Sequence, residues 1–363
     1  MTRIRKNTLK VLIVKLSSIG DVVHTLPALY SIRKGFDKSG IRAEIDWLVE
    51  EAASGVLTGN SLIDNVIVVK NRGWLSDVVS NIRTARAIYS RHYDMVLDFQ
   101  GLLKSAIWVA ASRGKRRIGF SNAREVSHVF LNEKIAPYEP GRHAVDRYLE
   151  IAKYIGGAGD APATLEIERK SRESVVRKLN KSGLAKGASF FVMITRARWD
   201  TKLWNDDKFV ELAQKISGAS GLSPVLIGGA AERTRIDEMG RRIGGSISLA
   251  GEIDLKELAA LLGLAAFAVS VDSGPMHIAA AAGTKVVALF GPTAPGSTGP
   301  YGGGHVIIRK GLACSPCFKK KCSDAKCMSQ ITVDEVFKAV SELIDGGRLK
   351  EGAAGKTRKK ADG

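Results

Sequence analysis

Short apolar runs recur along the chain, separated by longer stretches whose apolar residues return every three or four positions. Val11-Leu12-Ile13-Val14 is the first such run, a continuous β-branched stretch that predicts a strand buried on both faces. Ser17-Ser18-Ile19-Gly20-Asp21 follows at once, and Leu26, Leu29, Tyr30 and Arg33 then fall at helical spacing. Further strands are predicted at 43–49, 66–69, 93–98 and 117–120, with helices over 79–89 and 142–154. Strands alternating with helix-length intervals argue for a parallel, doubly wound sheet. The glycine-rich stretch 156–162 reads as a loop, 171–181 as a charged helix and 183–187 as a second break.

The pattern then restarts. Strands are predicted at 190–194, 224–229, 267–271 and 285–290, with helices over 206–217, 231–240, 255–264, 278–282 and 331–344. The chain therefore reads as one α/β domain over 1–175, a second over 186–345, and a disordered basic tail over 346–363. Its 363 residues and 45% hydrophobic content suffice for two cores.

Charge narrows the partners. A net charge of +18 favours an anionic one: nucleic acid, an acidic membrane face or a phosphorylated substrate. No aromatic-basic RNA-binding motif and no recognition helix is present, so only the charge speaks for nucleic acid and no nucleic-acid partner is expected. The apolar run at 11–14 is interrupted by Lys15, too short for a signal peptide. The most apolar longer stretch, 258–271, falls short of the roughly 20 residues that span a bilayer. Four cysteines in a chain of this length do not suggest a secreted disulfide scaffold. The expectation is a cytoplasmic protein, in peripheral contact with a membrane face.

Candidate chemistry gathers where strands end. Ser17 to Asp21 lies between a strand and a helix, where backbone N–H groups point into the crevice above the sheet. The same residues also suit helix capping. In the second half, Asp272-Ser273-Gly274-Pro275-Met276-His277 brings a hydroxyl, a glycine and a helix start to one point, which suits a pyrophosphate or a capped helix. His277 also suits a buried hydrogen-bonding role. Thr195, Arg196, Arg198, Lys202 and Trp204 follow another strand; Lys202 offers a point charge for phosphate, Arg196 or Arg198 a fork. Glu232 follows Gly228-Gly229, where a carboxylate accepts from a ribose diol or starts a surface helix. Neither G-x-G-x-x-G after the first strand nor G-x-x-x-x-G-K-[ST] occurs, which argues against a dehydrogenase and a P-loop enzyme. Cys314, Cys317, Cys322 and Cys327 form C-x2-C-x4-C-x4-C, which lacks the second C-x2-C of common four-thiolate sites.

LIVKLSSIGDVVHTLPAL, WLVEE, DFQGLLKSA, AREVS, the pair Lys202/Trp204, VSVDSGPMHIAAAAGTKVVALFGPT and TGPYG together resemble the ADP-heptose:lipopolysaccharide heptosyltransferases of glycosyltransferase family 9. The resemblance runs from about 12 to 340, and the first three motifs are most similar to the heptosyltransferase I branch. It implies a GT-B fold: two Rossmann-like domains with parallel sheets facing across a cleft, the acceptor on the first and the nucleotide-sugar on the second. It implies inverting transfer of L-glycero-D-manno-heptose from ADP-heptose to Kdo-lipid A, without cofactor or metal, by a monomer on the anionic inner membrane face.

Carried onto this chain, the resemblance makes Asp21 the general base. Thr195, Lys202, Glu232, Asp272, Ser273, Gly274 and His277 become donor-binding, and Ser18, Gly20, Lys104 and Arg124 acceptor-binding. The loop 195–202 reads as longer than in the heptosyltransferase I branch, and the cysteine segment, read as a structural loop, resembles the heptosyltransferase II branch. The alternatives are therefore heptosyltransferase II, a nucleotide-dependent oxidoreductase, and a non-enzymatic nucleotide- or nucleic-acid-binding protein.

Overall fold

The computed structural model describes residues 8–70, 77–139, 141–159, 161–162 and 164–345. Residues 1–7, Asp160 of the glycine loop and the tail 346–363 lie outside the described residues. The chain divides into two units. The first runs to Glu168 and takes in Pro295–Tyr301; the second runs from Arg169 to Ala294 and resumes at Gly302. The helix Arg169–Lys181 thus goes whole with the second unit, although the predicted domain limit at 175 cuts it.

The first unit holds β1 (Leu9–Val14), β2 (Ala43–Glu50), β3 (Asn65–Val69), β4 (Met95–Asp98), β5 (Arg116–Phe120) and β6 (Glu133–Ile135). They form one sheet in the order β3-β2-β1-β4-β5-β6, every pair parallel. Val11, Leu12, Ile13 and Val14 have no exposed surface, which is why β1 reads as an unbroken apolar run. Helix Ile19–Lys38 packs against helix Ala144–Tyr154. Gly35 permits that contact: a Cβ there would stand 2.1 Å from the carbonyl oxygen of Gly156 and 2.7 Å from Cα of Gly157.

The second unit holds β7 (Phe190–Ile194), β8 (Ser223–Ile227), β9 (Ile247–Ser248), β10 (Ala268–Val271), β11 (Val286–Phe290) and β12 (Val306–Arg309). Its order, β12-β11-β10-β7-β8-β9, repeats the first read from the other edge: third, second, first, fourth, fifth, sixth. In an open sheet of this order the chain changes direction between the first and fourth strands. A crevice opens there beyond the strands' C-terminal ends, and ligands bind in it. The unit therefore has its switch point at β7/β10, as the first has at β1/β4.

Three strands, β6, β9 and β12, were not predicted. All are outermost in their sheets. Edge strands are short and half solvated, so Glu133-Lys134-Ile135 and Ile247-Ser248 carry too little apolar pattern to stand out. Helix Leu103–Ser112 was also not predicted, and the helix expected at 278 starts at Gly274. That earlier start brings Ser273 to the N-cap position.

Candidate active site

At the first switch point the chain leaves β1 through Ser17 and Ser18 and enters helix Ile19–Lys38. Asp21 sits in the first turn. Its Oδ2 accepts from the Ser18 backbone N–H at 3.0 Å and from the Ser18 hydroxyl at 2.9 Å. The carboxylate thus caps its own helix, and two donors fix its rotamer. The sequence left capping and ligand roles open for these residues; the geometry realises the capping contact and leaves Asp21 only partly covered.

The neighbouring strand end locks the turn. Oε1 of Gln100, just past β4, accepts from the N–H groups of Leu16 and Ser17, both at 3.1 Å. Asp98 is buried, and its Oδ1 takes the N–H groups of Gln100 and Gly101 at 3.0 Å each. Burial pushes the Asp98 carboxyl above the usual range against those hydrogen bonds. Lys104 donates to the Ser17 hydroxyl at 2.5 Å and to Glu50 at 2.8 Å, so a cation borders the turn. Gly20 is buried, Ser18 is exposed, and Arg124 is exposed with its backbone N–H on the Gly101 carbonyl at 3.0 Å.

Beneath this turn lies Lys15, 2% exposed. Its ammonium donates to the Phe99 carbonyl at 3.0 Å and the Tyr148 hydroxyl at 2.6 Å. Burial alone would lower its pKa, but Tyr148, Asp21 and Asp98 outweigh it, so the pKa is raised and the cation stays charged under the carboxylate. Sequence reasoning missed this role. The signal was present: a lysine that interrupts an apolar run at the end of a buried strand needs buried partners. Further along the same unit, His143 Nε2 lies 3.1 Å from the Gly299 carbonyl, and the Tyr301 hydroxyl donates to Asp146 at 2.8 Å. The TGPYG motif is thereby tied to the helix Ala144–Tyr154.

The second switch point gathers the cationic chemistry. After β7 the chain makes a short turn, Asp200–Lys202, and runs out extended to Trp204. Trp204 is 2% exposed, packs edge-on to Phe209 at 4.9 Å and donates to the Ile331 carbonyl at 3.0 Å. Truncating such a side chain typically costs about 3–5 kcal/mol, so it anchors the loop. Lys202 reaches across to the end of β10, its Nζ 2.6 Å from Asp272 Oδ2 and 4.6 Å from the Trp199 ring centroid. Thr293 holds the same carboxylate oxygen at 2.6 Å.

Ser273 is the N-cap of helix Gly274–Ala281, yet its hydroxyl is buried and has no hydrogen-bond partner among the described residues. The N–H groups of that helix start and the ammonium of Lys202, paired with the adjacent Asp272, are donors of the kind that an anionic group requires. Lys202, Asp272, Ser273 and Gly274 are therefore brought together. His277 is buried one turn into the helix. Thr195 is fully buried and accepts from Arg196 at 3.3 Å, while Arg196 pairs with Asp206. Glu232 accepts from the Gly229 N–H at 2.8 Å and so caps its own turn.

The four cysteines are free thiols. Among the described residues no group of three or more His, Cys, Asp or Glu side chains is placed to hold a metal ion. No helix is long and apolar enough to cross a membrane, again among the described residues.

The family profile described as glycosyltransferase family 9 (heptosyltransferase) matches residues 81–328. Lipopolysaccharide heptosyltransferase 1 of Pseudomonas aeruginosa is 32% identical, over 87% of this chain and 88% of its own. The protein of that name from Salmonella typhimurium is 34% identical, over 85% and 95%. Among solved structures, the Escherichia coli heptosyltransferase WaaC with ADP superposes with a TM-score of 0.73 at 27% identity, over 92% of this chain and 99% of that one. Its fold is that of the GT-B heptosyltransferases. The chain belongs to glycosyltransferase family 9, the heptosyltransferases.

Proposed function

We propose that this glycosyltransferase moves L-glycero-D-manno-heptose from ADP-heptose to the Kdo-lipid A inner core, with inversion, as a heptosyltransferase I. The observation that carries the reading is the second switch point. There the Lys202–Asp272 pair stands beside a buried Ser273 hydroxyl without a partner, on a chain whose first switch point offers the carboxylate of Asp21.

A sugar hydroxyl is a weak nucleophile until its proton is drawn off in the transition state. Asp21 takes that proton as the acceptor oxygen attacks the anomeric carbon of the donor. The new C–O bond forms while the bond from that carbon to the β-phosphate oxygen breaks, and ADP leaves with the electron pair. Negative charge grows on the departing diphosphate, where Lys202, the Ser273 hydroxyl and the N–H of Gly274 stabilise it. Asp272, itself held by the Thr293 hydroxyl, holds Lys202 in place. The buried Lys15 cation and the Asp21 carboxylate attract one another. Ser18, Gly20, Lys104 and Arg124 form the acceptor side. Thr195, Glu232 and His277 shape the donor side through the loops and the helix they brace. The enzyme works as a cytoplasmic monomer against the anionic face of the inner membrane.

The acceptor assignment is tested by offering ADP-heptose with Kdo-lipid A and, separately, with the monoheptosylated core. Kdo-lipid A is expected to be consumed. Consumption of the monoheptosylated core alone would assign the enzyme to heptosyltransferase II.

A further inference from the structure

Among the described residues, fourteen large apolar side chains are exposed, and eight of them lie on one layer of the first unit. That layer consists of helix Val78–Ser90 on β3, helix Leu103–Ser112 on β1 and β4, and the short turn Ser127–Phe130 beside it. Helix Leu103–Ser112 turns Ser105, Ala106, Trp108, Val109 and Ser112 inward, and sends Leu103 and Ile107 out. Helix Val78–Ser90 buries only Asn81 and Ile88, and shows Val79 and Ile82 to solvent. Val126 and Val129 complete the set at 63% and 56% exposed.

Val126 pays twice. Its φ is +58°, a region that a β-branched residue rarely enters, and its side chain stands in water. Such strain is held where the surroundings use the conformation. Basic side chains flank the apolar ones. Arg83 and Arg86 are exposed on the same helix, and the Arg113 guanidinium lies 5.4 Å from the Tyr89 ring centroid, joining the two helices. Two acids border the layer: Asp77, half-buried at the N-cap of helix Val78–Ser90, and Glu125, which accepts from the Leu103 N–H at 3.0 Å.

Exposed aliphatic groups ringed by arginine match an anionic lipid surface, into which the apolar groups dip while the cations meet phosphates. The layer is also continuous with the acceptor side. Lys104, next to Leu103, holds the Ser17 hydroxyl of the catalytic turn. We propose that this layer is the face by which the enzyme rests on an anionic phospholipid bilayer, so that a lipid-anchored acceptor presents its sugar to the turn at Ser17–Asp21 without leaving the membrane. The proposal rests on the acceptor reading above and names the surface that serves it.

The test is co-sedimentation with vesicles of mixed phosphatidylethanolamine and phosphatidylglycerol, read without substrates. Val79→Ser/Ile82→Ser/Ile107→Ser/Val129→Ser is expected to lower partitioning about tenfold or more. Arg83→Gln/Arg86→Gln is expected to lower it about fivefold for each arginine removed. A control pair on the second unit, Val176→Ser/Ile307→Ser, is expected to bind as the wild type does. All these positions are exposed, and an unchanged melting temperature checks each fold. Equal vesicle binding by wild type and both variant sets overturns the proposal. So does no binding by the wild type, or a change only in oligomeric mass, which would assign the layer to self-association. Because no turnover is read, failure of the acceptor reading leaves this outcome distinct. Turnover on a water-soluble acceptor stripped of acyl chains is expected to be unchanged in both sets.

Discussion

Asp21→Asn is expected to lower kcat for heptosyl transfer about 10³-fold, within the range that a positioned general base supplies. Asparagine is the informative replacement. Its carbonyl oxygen still accepts from the Ser18 N–H and hydroxyl, so the helix start survives while the basicity is lost. Asp21→Ala would remove that contact too, and with it about 1 kcal/mol of capping. ADP affinity should change little in either variant, because the residues proposed to bind the donor lie on the second unit. Titration calorimetry with ADP, beside steady-state kinetics, separates the two effects. Near-normal turnover in Asp21→Asn would remove Asp21 from the mechanism. The buried cation below sharpens the expectation, since Lys15 loses its carboxylate partner at that end and keeps Phe99 and Tyr148.

Lys202→Ala is expected to raise the KM for ADP-heptose and lower kcat, together reducing kcat/KM about 10²–10³-fold. The lysine does two things. In the proposed mechanism it supplies a cation to the donor phosphates, and in the structure it pairs with Asp272, whose side chain is nearly buried. Without it, Asp272 keeps the Thr293 hydroxyl but turns an unpaired negative charge toward the diphosphate. Lys202→Arg should recover part of the loss, since the charge persists though the geometry differs. Unchanged donor kinetics in Lys202→Ala would show that the loop after β7 serves another purpose. A lower melting temperature is expected as well, because the pair is largely withdrawn from water.

What the sequence could carry follows from how local each feature is. The run at 11–14, the turn at 17–21 and the helix after it are contiguous, so strand, turn and carboxylate were legible together. The doubly wound class followed from alternation alone. The partner of Lys202 was not legible. Asp272 lies 70 residues away, and the two meet only because β7 pairs with β10 in parallel register. Lys15 was readable as an oddity within an apolar run, but its use depends on Tyr148, 133 residues on. Thr195 and Glu232 show the converse. Their residue types suit donor contacts, while burial beside Arg196 and capping of a turn are what three dimensions assign them first. The return of Pro295–Tyr301 to the first unit had no local sign either, since its partners His143 and Asp146 lie far upstream.

A single displacement with Asp21 taking the proton must turn over the anomeric carbon once. The configuration of the new glycosidic bond, read by NMR on product from ADP-heptose and Kdo-lipid A, tests this most directly. The expected product carries one added heptose whose anomeric configuration is opposite to that of the donor, with one ADP released. A product that retains the donor's configuration would require a second displacement and a covalent or ion-paired intermediate, and would contradict the role given to Asp21.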